Sequence, residues 1–197
     1  MKIGILGGTF DPPHVGHLAV AESVRDQLEL DEVVFVPAAR NPMKDRRAHA
    51  GHKHRLAMLR VMAEGKPGLG VSDIEITRGG SSYMVETLEE LHLVQPADYW
   101  LILGSDALQG FSEWRHPERI CRFAGVAAVI RPPMEKVTFP LPDYLENVLD
   151  WVECRPPNIS STRVRSMLQR RDEDVVRWLD PRVYEYIQRH RLYRIED

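Results

Sequence analysis

Cysteine is scarce in this sequence: Cys121 and Cys154 are the only two. Two are too few for a disulfide framework, so free thiols in a reducing compartment are expected, which points to the cytoplasm. A single bridge between them stays open. A basic excess is also lacking. The formal net charge is −3, which argues against a nucleic-acid groove as partner. No apolar run approaches the roughly 20 residues needed to span a bilayer, so no membrane partner is expected. Met1-Lys2-Ile3 enters a strand directly, with no secretory leader. Internal repeats and low-complexity segments are missing. So are both common nucleotide fingerprints: the first turn has neither the Lys-Ser/Thr ending of a P-loop nor the Gly-x-Gly-x-x-Gly spacing of dinucleotide folds.

What is present begins with 197 residues at 43% hydrophobic content, enough for one sizeable core and one domain over residues 1–197. Short apolar segments at 2–6, 33–36, 71–76, 99–103 and 125–130 read as strands. Helical periodicity appears at 18–28, where Leu18, Ala21, Val24 and Leu28 share a face, and at 50–63. Residues 82–93 form a further helix with Ser82 as its expected N-cap. This alternation predicts an α/β fold, a doubly wound parallel sheet. The last third changes character. Residues 131–142 are proline-rich and loop-like, 158–169 read as a capped helix, and 181–190 read as a terminal helix with Val183, Tyr186 and Ile187 inward. These predict a small C-terminal helical cap over about 158–197, packed on the sheet. Oligomeric state is not legible; a homo-oligomer is one option.

In a doubly wound sheet, ligands bind beyond the carboxyl ends of the strands. Three sequence features fall there. The first is Gly7-Gly8-Thr9-Phe10-Asp11-Pro12-Pro13-His14-Val15-Gly16-His17, between the first strand and the first helix. Its glycines let backbone approach a ligand. His14 and His17 lie three residues apart on one face of the first helical turn, where unpaired N–H groups and partial positive charge suit phosphate. Metal ligation and a structural role stay open for the pair. No third ligand lies nearby in sequence, so phosphate binding is favoured, with a phosphate neighbour holding the imidazoles cationic. The second feature is Gly104-Ser105-Asp106, and the third is Arg131-Pro132.

A further constellation, Ile159-Ser160-Ser161-Thr162-Arg163-Val164-Arg165, places hydroxyls at a helix start, where they cap and also donate to phosphate. Other candidates carry competing readings. Asp106 could bond a ribose hydroxyl or cap a helix, and Trp114 could stack on a heterocycle or sit in the core. Lys44 could face phosphate or solvent, and Arg131 could pair with an acid. His49, His52 and His54 form a histidine-rich patch best read as a solvated loop and helix start. Glu75 and the acids of 86–90 read as a solvated helix face.

Taken together, the Gly-x-Thr-Phe-Asp-Pro-x-His-x-Gly-His opening, Gly104-Ser105-Asp106, Arg131-Pro132 and the Ile159–Arg165 stretch resemble the bacterial nicotinate mononucleotide adenylyltransferase family of the nucleotidylyltransferase superfamily. The similarity runs nearly end to end, to Leu192-Tyr193. It implies a Rossmann-like nucleotidyltransferase fold and transfer of an adenylyl group from ATP to nicotinate mononucleotide. The product would be nicotinate adenine dinucleotide, a step of NAD biosynthesis, with pyrophosphate released. The resemblance implies catalytic roles for His14, His17, Lys44 and Arg165. It implies ATP or phosphate contacts from Gly7, Gly8, Thr9, Phe10, Gly16, Gly104, Asp106, Arg131, Ile159, Ser160, Ser161 and Thr162. Tyr83, Met84, Thr87 and Trp114 fall on the pyridine side. Mg²⁺ is implied as a cofactor carried by ATP, with no protein ligand. Two departures stand out. Met43 occupies the place of a family histidine in Asn41-Pro42-Met43-Lys44, and Met84 replaces a hydroxyl near the pyridine. Alternative acceptors are nicotinamide mononucleotide and the phosphopantetheine or cytidylyl substrates of related transferases. A nucleotide sensor without turnover is the remaining class.

Overall fold

The computed structural model describes residues 1–43, 48–130 and 140–194. Lys44 and Arg131 therefore lie outside the described residues, as does most of the proline-rich 131–142 segment. Strand β1 (Lys2–Gly8) leads into helix α1 (Val15–Gln27), and β2 (Glu32–Pro37) leads through a long connection into α2 (His52–Ala63). There follow β3 (Leu69–Val71), α3 (Ile74–Arg78), α4 (Met84–Val94), β4 (Asp98–Gly104), α5 (Ser105–Gln109) and α6 (Pro117–Phe123). The chain then forms β5 (Ala124–Ile130), β6 (Leu149–Glu153), α7 (Ser161–Gln169) and α8 (Pro181–Arg189).

The six strands form one sheet in the order β3-β2-β1-β4-β5-β6, and every pairing is parallel. Parallel strands need crossovers that cover both faces, which explains the nearly continuous apolar runs of β1, β4 and β5. One face packs under Ala21 and Val24 of α1, Met58, Leu59 and Met62 of α2, Val164 and Met167 of α7, and Val183 and Ile187 of α8. The other packs under Val85, Leu88 and Leu91 of α4, Leu108 of α5 and Ile120 of α6. The expected C-terminal helices thus join the first layer, although Tyr186 is only partly buried. The order reverses between β1 and β4, and a crevice opens there beyond the strands' carboxyl ends.

Several expectations are corrected. The strand at 71–76 stops at Val71, because Ser72 and Asp73 turn the chain into α3, with the Ile74 N–H donating to Ser72 Oγ at 3.3 Å. Ser82 does not cap α4; Tyr83 holds that position, and the Ser82 hydroxyl accepts from the Ala39 N–H at 2.9 Å. That bond ties the segment after β2 to the start of α4. Glu75 is not on a solvated face. It is 3% exposed and accepts the Thr87 hydroxyl at 2.7 Å. Strand β6 escapes sequence reading because Leu149-Asp150-Trp151-Val152-Glu153 carries two acids and buries only Val152, as an edge strand can. Both cysteines are free thiols, Cys121 partly buried and Cys154 buried. No helix among the described residues is long and apolar enough to cross a membrane.

Candidate functional site

A cavity of about 810 Å³ lies at the carboxyl ends of β1, β4 and β5. Gly8, Thr9, Phe10, His14, Gly16 and His17 line one side, and Ile159, Ser160, Ser161, Thr162 and Arg165 line another, with Gly104 between. The opening motif and the α7 motif, some 150 residues apart in sequence, therefore share one cleft. Hydrogen bonds hold them together. The Ser161 hydroxyl donates to the Pro12 carbonyl at 2.8 Å, and Arg165 Nη1 donates to the Asp11 carbonyl at 2.6 Å. Arg165 Nη2 donates to Thr162 Oγ1 at 3.1 Å, and the Ser160 hydroxyl caps α7 by accepting the Arg163 N–H at 3.2 Å.

The two histidines cap α1. The Gly16 N–H donates to His14 Nδ1 at 3.2 Å, and the His14 N–H donates to His17 Nδ1 at 3.1 Å. Their rings stack at 3.7 Å between centroids. A nitrogen that accepts a main-chain N–H carries no proton. Both imidazoles are therefore held as neutral rings bearing their hydrogen on Nε2. In this arrangement Nδ1 of each ring accepts, and Nε2–H is the ring's donor. Gly16 lets the His14 ring lie close, since a Cβ there would sit 3.0 Å from that ring and 3.4 Å from Ile159. Phe10 holds the turn from below. It is 2% exposed, adopts φ 52°, and meets His17 and Phe35 edge-on. A left-handed non-glycine residue costs on the order of 1–3 kcal/mol, and packing of this kind over-determines it.

The remaining sequence-predicted residues divide. Gly7 lies outside the cavity lining, and a Cβ on it would meet the Met84 methyl at 2.9 Å. Met84 thus abuts the end of β1 from the opposite layer. Tyr83 sits beneath the Arg115 guanidinium, 4.5 Å from its ring centroid, and Arg115 also pairs with Glu86 at 2.8 Å. Trp114 packs on Phe111 at 5.4 Å and remains partly exposed. Tyr83 and the Trp114 segment are therefore neighbours. Asp106 is exposed in the first turn of α5, where Gly104 and not Asp106 holds the N-cap position. Thr87 is corrected: it is fully buried, donating to Glu75 and accepting from Arg78 Nη2 at 2.8 Å, so its side chain presents nothing to a ligand.

Sequence reasoning missed two residues at the base of the cleft. Arg55 is fully buried, yet its guanidinium donates to the carbonyls of Ala50, Thr9 and Ala38 at 3.2, 2.7 and 2.7 Å. Burial lowers its pKa, and the neighbouring Asp11 opposes that shift. Tyr193, near the C-terminus, donates its hydroxyl to Asp11 Oδ1 at 2.9 Å. Within a histidine- and arginine-rich helix start, nothing distinguishes Arg55 from a solvated cation, so its burial has no sequence signature. His54 of the same stretch bonds the Tyr186 hydroxyl at 3.1 Å.

A family model described as cytidylyltransferase-like matches residues 5–167. A protein of Salinibacter ruber named "probable nicotinate-nucleotide adenylyltransferase" is 42% identical over the full length of both chains. A Herpetosiphon aurantiacus protein of the same name is 39% identical over 98% of each. The chain belongs to the nicotinate-nucleotide adenylyltransferase family. Among solved structures, Plasmodium falciparum nicotinic acid mononucleotide adenylyltransferase complexed with NaAD superposes with a TM-score of 0.76 at 18% identity, covering 98% of this chain and 97% of that one. A putative nicotinate-nucleotide adenylyltransferase from Vibrio parahaemolyticus gives 0.70 at 20% identity, with 98% and 94% covered. At such identities these two establish the fold. For this adenylyltransferase-family chain, the sheet order and the position of the cleft agree with a Rossmann-like nucleotidyltransferase architecture.

Proposed function

We propose that this protein transfers the adenylyl group of ATP to nicotinate mononucleotide, giving nicotinate adenine dinucleotide and pyrophosphate. One observation carries the reading. In a chain of this family, two stacked imidazoles at a helix N-terminus face the Ser160–Arg165 segment across a single cleft. The mononucleotide 5′-phosphate oxygen attacks the α-phosphorus of ATP in line. The bond from that phosphorus to the bridging oxygen breaks, and pyrophosphate leaves with the electron pair. No covalent protein intermediate is needed, because positioning and charge stabilisation suffice for phosphoryl chemistry.

His14 and His17 donate to the oxygens that gain charge in the transition state. Ser161, Thr162 and Arg165 hold the β- and γ-phosphates, together with Lys44. Gly8, Thr9 and Gly104 let the nucleotide approach the strand ends, and Arg131 and Asp106 position its adenosine. Tyr83, Met84 and Trp114 form the pyridine side. Asp11 is the one carboxylate lining the cleft among the described residues, and it is bonded by His49 N–H, Ala50 N–H and Tyr193. That donor set fits a Mg²⁺ that arrives on the nucleotide rather than one held by side chains. When bound, such an ion neutralises phosphate charge. The whole chain acts as one nucleotidyltransferase unit working in the cytoplasm.

The test is a pyrophosphate-release screen with ATP and Mg²⁺ across nicotinate mononucleotide, nicotinamide mononucleotide and phosphopantetheine. Highest kcat/KM with the nicotinate form supports the reading. Release with none of them, or with phosphopantetheine alone, overturns it.

A further inference from the structure

Asp11 is the point at which four distant segments meet. It is 4% exposed. Its Oδ2 accepts the His49 N–H at 2.7 Å, and its Oδ1 accepts the Ala50 N–H at 2.9 Å and the Tyr193 hydroxyl at 2.9 Å. Its carbonyl accepts Arg165 Nη1 at 2.6 Å, while the same Nη1 stands 3.8 Å from Oδ2. Arg55 underpins the arrangement by tying Thr9, Ala38 and Ala50 to one buried cation. None of Asp11, Arg55 and Tyr193 has a role in the chemistry above.

The distances carry the argument. Arg165 pairs with the Asp11 carboxylate only at long range, 3.8 Å, while its short bond of 2.6 Å goes to the Asp11 main-chain carbonyl. A carboxylate bonded by three donors attracts a further cation less than one left short. The Tyr193 hydroxyl completes the pair of bonds on Oδ1. Burial, reinforced by Asp11, raises its pKa far above the ordinary phenol range, so it remains a donor wherever the protein is folded.

We propose that Tyr193 is a positioning residue for ATP binding: by satisfying the Asp11 carboxylate, the C-terminal tail keeps Arg165 available to the triphosphate. This rests on the reading of the cleft as the ATP site. Loss of the hydroxyl leaves the carboxylate one donor short, with Oδ1 held only by the Ala50 N–H. Arg165, already within ion-pair range of the carboxylate, then closes onto it and is withdrawn from phosphate.

The experiment uses the full chain with Tyr193→Phe, which keeps the ring and its packing. KM for ATP is expected to rise about tenfold, the equivalent of one hydrogen bond to a charged group. KM for nicotinate mononucleotide should stay within about twofold. Affinity for a non-hydrolysable ATP analogue, measured by calorimetry, should fall by the same factor as the KM change. A lowered Tm with unchanged KM for ATP and unchanged analogue affinity overturns the inference, since it describes a structural contact only. An equal rise in both KM values also overturns it. Wild-type turnover separates the two readings: an inactive wild type defeats the adenylyl-transfer reading itself, whereas an active wild type matched by Tyr193→Phe defeats only the role of Tyr193.

Discussion

His14 and His17 hold each other in place: the His14 main-chain N–H is bonded by the His17 ring, and the His14 ring in turn bonds Gly16. The reciprocal cap fixes both tautomers with one helical turn. It also explains why two histidines, rather than a histidine and a cation, occupy these positions. Only imidazole accepts at one nitrogen and donates at the other while neutral.

His17→Ala removes a ring that lines the cleft. It also removes one capping acceptor, a loss of about 1 kcal/mol in stability. We expect kcat to fall by roughly 10²–10³, the range for one oxyanion-type donor, with far-ultraviolet circular dichroism unchanged. Steady-state pyrophosphate release is the measurement. A rate within threefold of wild type removes His17 from the mechanism.

Gly16→Ala separates catalysis from stability. Alanine is favoured over glycine in a helix by about 1 kcal/mol, which offsets part of the crowding at 3.0 Å against His14. Tm should therefore move little. The His14 ring, however, must shift by a few tenths of an ångström, and near-attack geometry tolerates little displacement. A drop in kcat of at least tenfold at nearly constant Tm is expected, and an unchanged kcat contradicts this account of Gly16.

The sheet and the two motifs that line the cleft are legible in the sequence because they rest on strong local signals. Apolar runs such as 99–103 and 125–130 have few other uses than buried parallel strands, and the hydroxyls of Ser160, Ser161 and Thr162 mark a helix start, within three residues of the observed one. Helices α1, α2, α4, α7 and α8 follow from the same periodicity, whereas the short α3, α5 and α6 carry too few residues to show one. What escapes is whatever depends on long-range partners. Glu75 looks solvated until Thr87 of α4 is brought beside it, and Arg55 looks like any helix-start cation until three carbonyls converge on it. Ser82 resembles an N-cap locally, but the Ala39 N–H competes for it successfully. Local propensity has no term for such competition.

Arg115→Ala should act on the acceptor side alone. The guanidinium covers one face of Tyr83 and pairs with Glu86, so it braces the Trp114 segment against the start of α4. Cation–π contacts at exposed sites contribute about 0.5–1 kcal/mol. The expected result is a two- to fivefold rise in KM for nicotinate mononucleotide and no change in KM for ATP. A change confined to ATP would place Arg115 in the wrong half of the cleft.

Asp180 gives a stability prediction with a defined pH dependence. It caps α8 by accepting the Arg182 N–H at 3.0 Å and pairs with Lys66 at 2.9 Å. Burial alone would raise its pKa, but hydrogen bonds from Lys66 and Arg182 together outweigh burial and hold it below 3.8. A carboxylate whose folded pKa is depressed stabilises the fold above its unfolded value. That contribution is lost as pH falls through the folded pKa. Asp180→Ala should therefore cost about 1–2 kcal/mol at pH 7, the upper range for a lost cap. The gap between variant and wild type should narrow as the pH falls below 3.8. Urea unfolding at pH 7 and at successive acid values measures this. A gap that stays constant or widens on acidification would show that Asp180 contributes through packing rather than through its charge.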